Sequence, residues 1–332
     1  MKADFENHRC TILLYPERKD VWRKSAYLIK ETVMQLAEII KQFEPVFLGY
    51  NEIIPELLTC DQIKTFNIEY DDIWARDTGG VPLNNDTLAI FRFDAWGGLY
   101  ENVAKDLTVA ETITQLCKLN PIKSTLVMEG GNLISDGNGT LVAIKESVQK
   151  RNHLPLGEIE KELKQILKIE QIIWIKQGLV YDETGGHIDN LCVFADANTI
   201  LLSWTDDKDN PQYSIVNKAF EILEQAKDIN GNPYKIIKIP TPDIFYRTEE
   251  DCIGIELRDN SKQRLVGEPI QASYINFIFV NGAVIVPQFG LKQDREALDV
   301  FKSVFISKRV IPFDAREIVL GGGGIHCISR NI

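Results

Sequence analysis

Leu126-Val-Met-Glu-Gly-Gly-Asn-Leu-Ile-Ser-Asp-Gly-Asn-Gly-Thr-Leu-Val-Ala-Ile144 is the stretch on which the fold is decided. Residues 126–128 read as a short strand that runs into a glycine turn, Glu129-Gly-Gly-Asn132. Asp136-Gly-Asn-Gly139 signals a hairpin, and 141–144 is the returning strand. Ile159, Leu163 and Ile166 then recur in steps of three and four, which marks one face of a helix over 156–167. A strand over 172–175 follows. Strand, glycine turn, strand and amphipathic helix make one unit.

The unit recurs in both directions. Upstream, a strand over 11–15 precedes a helix over 20–43 with apolar positions at Ile29, Val33, Leu36 and Ile40. Strands over 46–48 and 88–93 and a helix over 103–116 complete that half. Downstream come strands over 191–194 and 200–204, a helix over 213–226, and a hairpin of 277–280 with 283–286 across Asn281-Gly282. A helix over 294–304 and a strand over 318–320 lead into Gly321-Gly-Gly-Gly-Ile-His-Cys-Ile-Ser329. Five glycine turns are thereby centred on Gly79, Gly130, Gly185, Gly282 and Gly322. Their spacing is irregular, yet no linker divides the 332 residues, so one domain over 1–332 is expected. Units whose turns all reach one end close into a ring around a polar axis. An open α/β sheet with longer loops is the competing architecture.

Hydrophobic residues make up 44% of the chain, enough for a large core. A net charge of −11 argues against nucleic acid and favours a small cationic partner. No apolar run reaches membrane-spanning length, so no membrane is expected as a partner. The opening Met-Lys-Ala-Asp-Phe-Glu has no apolar core of a secretory signal. Cys10, Cys60, Cys117, Cys192, Cys252 and Cys327 are scattered and read as reduced thiols, which places the chain in the cytoplasm. With four histidines, no HExxH and no paired cysteines, no metal is expected. A homo-oligomer, a dimer by default, is the expectation.

Four of the turns carry polar side chains beside their glycines: Trp74, Arg76 and Asp77; Glu129 and Asn132; His187 and Asp189; His326 and Cys327. Singly, each has a bland reading: a surface ion pair, a turn cap, a structural His–Asp couple two apart on a strand, a buried thiol. Jointly they supply a thiol, an imidazole and three carboxylates. A thiolate is a nucleophile and a histidine a proton carrier. Three carboxylates around a thiol oppose its ionisation unless a cation sits among them. A planar guanidinium or amidine meets that need, pairs bidentately with carboxylates and has an electrophilic carbon. If the turns converge, these residue types point to thiol attack on a guanidinium carbon. A Cys–His protease is the competing enzyme class and has no need of three acids. A purely structural protein leaves the polar glycine turns as accident.

At these residues the chain resembles the agmatine deiminases. The resemblance rests on Trp74-Ala-Arg-Asp-Thr-Gly79, Phe93-Asp-Ala-Trp-Gly-Gly98, Glu129-Gly-Gly-Asn132, Gly186-His-Ile-Asp-Asn190 and Gly321-Gly-Gly-Gly-Ile-His-Cys-Ile328, in order along the whole chain. Ser273-Tyr-Ile-Asn-Phe277 and the opening Glu6-Asn-His8 are similar too. The resemblance implies a five-bladed α/β propeller of pseudo-symmetric ββαβ modules around a central polar site. It implies hydrolysis of agmatine to N-carbamoylputrescine and ammonia, in polyamine metabolism, without cofactor or metal; deimination of free or peptidyl arginine is the alternative, for which Arg76 and Arg92 are at hand. By matching position, Cys327 is the nucleophile, His187 the general acid and base, Asp77 and Asp189 the guanidinium holders, and Glu129 a partner of His187 or substrate. Trp74 walls the site, and Glu183 is a candidate contact for the free amine. The pattern departs from the family at Gly324, Asp94 and Gly80, where the family usually has Asn, Asn and Pro, and in a tail five residues past Cys327.

Overall fold

The short apolar runs assemble as small sheets of one repeated topology in the computed structural model, which describes residues 1–51, 61–101, 103–259 and 261–332. Cys60 lies outside the described residues. In the first sheet β1 (Thr11–Leu14), β2 (Val46–Tyr50) and β3 (Ile63–Asn67) run parallel. In the second, β4 (Val81–Asn84) is antiparallel to β5 (Thr87–Arg92), which is parallel to β6 (Asn120–Val127). The same order holds for β7 (Ile134–Ser135), β8 (Thr140–Ile144) and β9 (Gln171–Ile175). It holds again for β10 (Cys192–Asp196), β11 (Thr199–Trp204) and β12 (Lys235–Pro240).

A two-stranded ribbon of β13 (Phe245–Tyr246) and β14 (Pro269–Ile270) interrupts the series. The last three-stranded sheet is β15 (Ile278–Val280), β16 (Ala283–Gln288) and β17 (Arg309–Asp314). The first sheet takes its antiparallel strand from the far end of the chain: β18 (Ser329–Asn331) pairs with β1, Ile12 opposite Arg330.

A parallel pair needs a crossover, and a helix supplies one in each unit. These helices are Tyr27–Ile40, Val109–Cys117, Leu156–Leu167, Tyr213–Gln225 and Gln293–Val304. Each buries the stripe that its periodicity marks, such as Ile159, Leu163 and Leu167, against its sheet. Full burial of one such side chain is worth about 1.5–3 kcal/mol. The outcome is a mixed α/β fold. Among the described residues, no helix is long and apolar enough to cross a membrane.

Some expectations are corrected. The helix over 20–43 begins only at Tyr27, because Lys24, Ser25 and Ala26 have positive φ. The strand over 318–320 is the end of a helix, Arg316–Val319, with Val319 N donating to Ala315 O at 3.1 Å. Three apolar residues in a row carry no period, so helix and strand read alike there. Gly282 sits at a hairpin tip with nothing within 4 Å of where its Cβ would be, away from the other glycine turns.

Candidate active site

Glycine is required at the centre of the site by space. A Cβ on Gly131 would lie 2.6 Å from His187 Nδ1, 3.0 Å from Asp77 Oδ1 and 3.1 Å from Asp189 Oδ2. Three side chains from two other turns thus close on one bare backbone position. Gly131 N also donates to Asp77 Oδ1 at 2.9 Å. Cys327 joins them from a turn in which Ile328 N donates to Gly324 O at 3.3 Å, and its Sγ lies 3.8 Å from Asp189 Oδ2. The convergence on which the sequence reading depends is therefore present.

His187 is fully buried, with Nε2 3.6 Å from Glu129 Oε2 and Nδ1 3.9 Å from Asp77 Oδ1. These are ion-pair contacts beyond hydrogen-bond length, and among the described residues neither ring nitrogen has a hydrogen-bond partner. Burial lowers the imidazole pKa, but Asp77 and Glu129 outweigh it and hold it at about 9. Asp77 moves up, chiefly by burial and despite His187, with Asp189 and Glu129 adding like-charge repulsion. Glu129 moves down because His187 and Arg151 overcome its burial. The Cys327 thiol is pushed well up by burial, then by Asp189 and Asp77. In the free protein the site therefore keeps its thiol protonated and its imidazole charged.

The pairing of His187 with Asp189 on one strand is corrected. His187 is extended, but Ile188–Asn190 is a 3₁₀ turn, and Asp189 binds the other histidine. His326 Nδ1 is 2.7 Å from Asp189 Oδ2, and His326 Nε2 is 2.9 Å from Asp4 Oδ2. Asp4 also pairs with Arg76 at 3.1 Å, so Arg76 is engaged under the site, where its Nε donates to His326 O at 3.3 Å.

A tight cavity of about 20 Å³ stands over the sulfur, lined by Trp74, Asp77, Trp96, Tyr100, Glu183 and Cys327 among others. Trp74 packs against Trp22 at a tilt of 34° with ring centroids 5.6 Å apart and meets Trp96 edge-on at 6.4 Å. A larger cavity of about 300 Å³, onto which Arg92 opens, touches Asp77 and Gly130 from another side but has no thiol in its lining. Of the two, the smaller is the one that Cys327 lines.

Three contributors were missed. Asn276, whose Nδ2 is 3.2 Å from Cys327 Sγ and whose Oδ1 accepts from His326 N at 3.0 Å, takes the place that the Gly282 turn was expected to fill. Its one signal was its place in Ser273-Tyr-Ile-Asn-Phe277. Arg151 pairs with Glu129 at 2.5 Å and donates to Thr184 O, from a helix, Lys145–Asn152, with no marked apolar face. Trp96 donates to Asp77 Oδ2 at 2.9 Å. At the three positions where the resemblance is imperfect, the local structure suits the residue present. Gly80 has φ +76°, which proline cannot adopt. A Cβ on Gly324 would lie 2.2 Å from Asn276 Oδ1. Asp94 caps Gly97 N at 2.8 Å and faces Arg151 at 3.8 Å.

A family model of Porphyromonas-type peptidyl-arginine deiminase matches residues 1–332. An agmatine deiminase of Pseudomonas aeruginosa (strain LESB58) is 36% identical over 346 residues, covering 99% of this chain and 94% of that protein. One from Ectopseudomonas mendocina (strain ymp) is 36% identical over 347 residues, with coverage of 99% and 94%. The solved agmatine deiminase of Enterococcus faecalis superposes with a TM-score of 0.94 at 28% identity, covering 100% of this chain and 94% of that one.

Proposed function

Because the chain belongs to the Porphyromonas-type peptidyl-arginine deiminase family, we propose that it hydrolyses agmatine to N-carbamoylputrescine and ammonia. The observation that carries this reading is the closure of Asp77, His187 and Asp189 on Gly131, with the Cys327 sulfur 3.8 Å from Asp189. A guanidinium between Asp77 and Asp189 offers each a bidentate partner and relieves their mutual repulsion. Burial first, and then repulsion from Asp189 and Asp77, holds the Cys327 thiol protonated; the same cation offsets that repulsion, so ionisation is coupled to substrate binding.

The thiol proton is lost to solvent as the cation binds, and the thiolate adds to the guanidinium carbon. His187, protonated up to about pH 9, delivers a proton to the departing nitrogen, and ammonia leaves an amidino-thioether on Cys327. Neutral His187 then takes a proton from water. The hydroxide adds to the same carbon, the C–S bond breaks as the new hydroxyl gives its proton to the departing sulfur, and the urea product leaves with the neutral thiol restored. Glu129, held by Arg151, keeps the imidazolium in place. Trp74 forms one wall, and Glu183 meets the free amine at the far end of the cavity.

Deimination of arginine is the second reading. It calls for an arginine in the cavity to take the α-carboxylate. Arg76 is engaged by Asp4 and Arg92 opens on the other cavity, which favours agmatine. Ammonia release from agmatine, arginine and a blocked arginyl peptide, measured in parallel, tests the choice; release from arginine alone rejects the first reading. The five sheets are read as blades of a propeller around this site, in one domain over 1–332. The pairing of β18 with β1 supports ring closure. A cytoplasmic dimer serving polyamine metabolism completes the proposal; sedimentation and cell fractionation test its state and place.

A further inference from the structure

We infer that Arg264 is a specificity-determining positioning residue, which fixes the Glu183 carboxylate at the far end of the cavity; this rests on the guanidine-hydrolysing reading above. The segment around Arg264 is inside out. Leu257, Leu265 and Val266 are 76%, 53% and 57% exposed, while the Arg264 side chain between them is fully buried. A charged side chain is buried only where partners meet it. Here Nη1 pairs with Glu183 Oε1, and Nη2 donates to Tyr100 Oη at 2.7 Å and to Gly321 O at 2.6 Å.

One planar guanidinium thus ties together the loop before His187, the glycine turn before Cys327 and an aromatic of the cavity wall. A lysine ammonium lacks this rigid fork. Arg264 itself does not line the cavity, so it acts through Glu183. With Oε1 occupied, Oε2 turns toward the glycine run and stands 2.4 Å from where a Cβ on Gly322 would be. Glu183 retains 20% exposure and lines the cavity. Its free oxygen is the acceptor for a cationic tail and repels an anionic one. If Arg264 merely neutralised Glu183, its removal would tighten binding of a cationic tail. If it orients the carboxylate, removal weakens that binding, so the two roles differ in sign.

The test compares agmatine with butylguanidine, which has the same guanidinium and four-carbon chain but no amine. In Arg264→Gln, KM for agmatine is expected to rise about tenfold more than KM for butylguanidine, the loss of one charge-assisted contact, while kcat for agmatine stays within about threefold. Glu183→Gln should reproduce that selective rise. The double variant should be no worse than Glu183→Gln alone, and Arg264→Lys should recover part of the loss. Equal losses on both substrates, a lower KM for agmatine, or additive single effects would overturn the assignment. Should Arg264→Gln not fold, a Glu183→Gln variant without the selective rise overturns it equally. Wild-type protein that releases ammonia from neither compound removes the guanidine-hydrolysing reading itself.

Discussion

Cys327 stands in the opposite protonation state from a resting papain-like thiol, whereas His187 shares the imidazolium form of such a site. Burial with Asp189 and Asp77 keeps the thiol neutral, and Asp77 with Glu129 keeps the imidazole charged. Replacing Cys327 by Ser removes the nucleophile, and ammonia release should become undetectable. His187→Ala should slow turnover by about 10²–10⁴-fold. Its thiol should still react with a haloacetamidine, followed by mass spectrometry. His187 also links stability to pH. Its folded pKa of about 9 lies above the ordinary 6.5, so its contribution is complete below pH 6.5 and is lost as pH rises through 9. The stability gap between wild type and His187→Gln, measured by urea unfolding, should shrink by roughly 3 kcal/mol over that span. A constant gap would contradict the assigned charge. The residue types were legible beforehand, since a thiol amid carboxylates demands a cation. Which histidine serves which carboxylate was not: the two-residue spacing of His187 and Asp189 suggested a couple, and the 3₁₀ turn gives Asp189 to His326.

At the scale of elements, the glycine turns matter through the space they leave. Gly131→Ala places a methyl 2.6 Å from His187 Nδ1 and about as near to two carboxylates. It should reduce kcat/KM by at least about 10²-fold, the cost of displacing reacting groups, while the far-ultraviolet circular dichroism is kept; unaltered kinetics would place the reaction elsewhere. Elements with clear periodicity, such as the helix Leu156–Leu167, were readable to the residue. Short strands such as β3, β4 and β12 were not, being four to six residues long with charged or polar positions among the apolar ones. Asn276 and Arg151 lie in stretches without a glycine turn or an apolar face, and only the packing of distant segments shows their partners.

For the whole molecule, the pairing of β18 with β1 brings the two ends of the chain together directly beside the Cys327 turn. Deleting residues 329–332 should therefore lower the melting temperature and abolish ammonia release together; separate loss of one without the other would show that this closure does not hold the site. The repeated units were visible in the sequence as glycine turns, whereas the meeting of Asp77, His187 and Asp189 at Gly131, and of Cys327 with Asp189 across 138 residues, depends on distant segments. The claim that all of this serves one thiol is tested most directly by acid-quenching the protein during turnover of agmatine and mapping its peptides by mass spectrometry. An adduct equal to agmatine less ammonia, carried by the peptide that contains Cys327 and absent from Cys327→Ser, is the predicted result. Ammonia release with Cys327 unlabelled throughout, or continuing in Cys327→Ser, would contradict it.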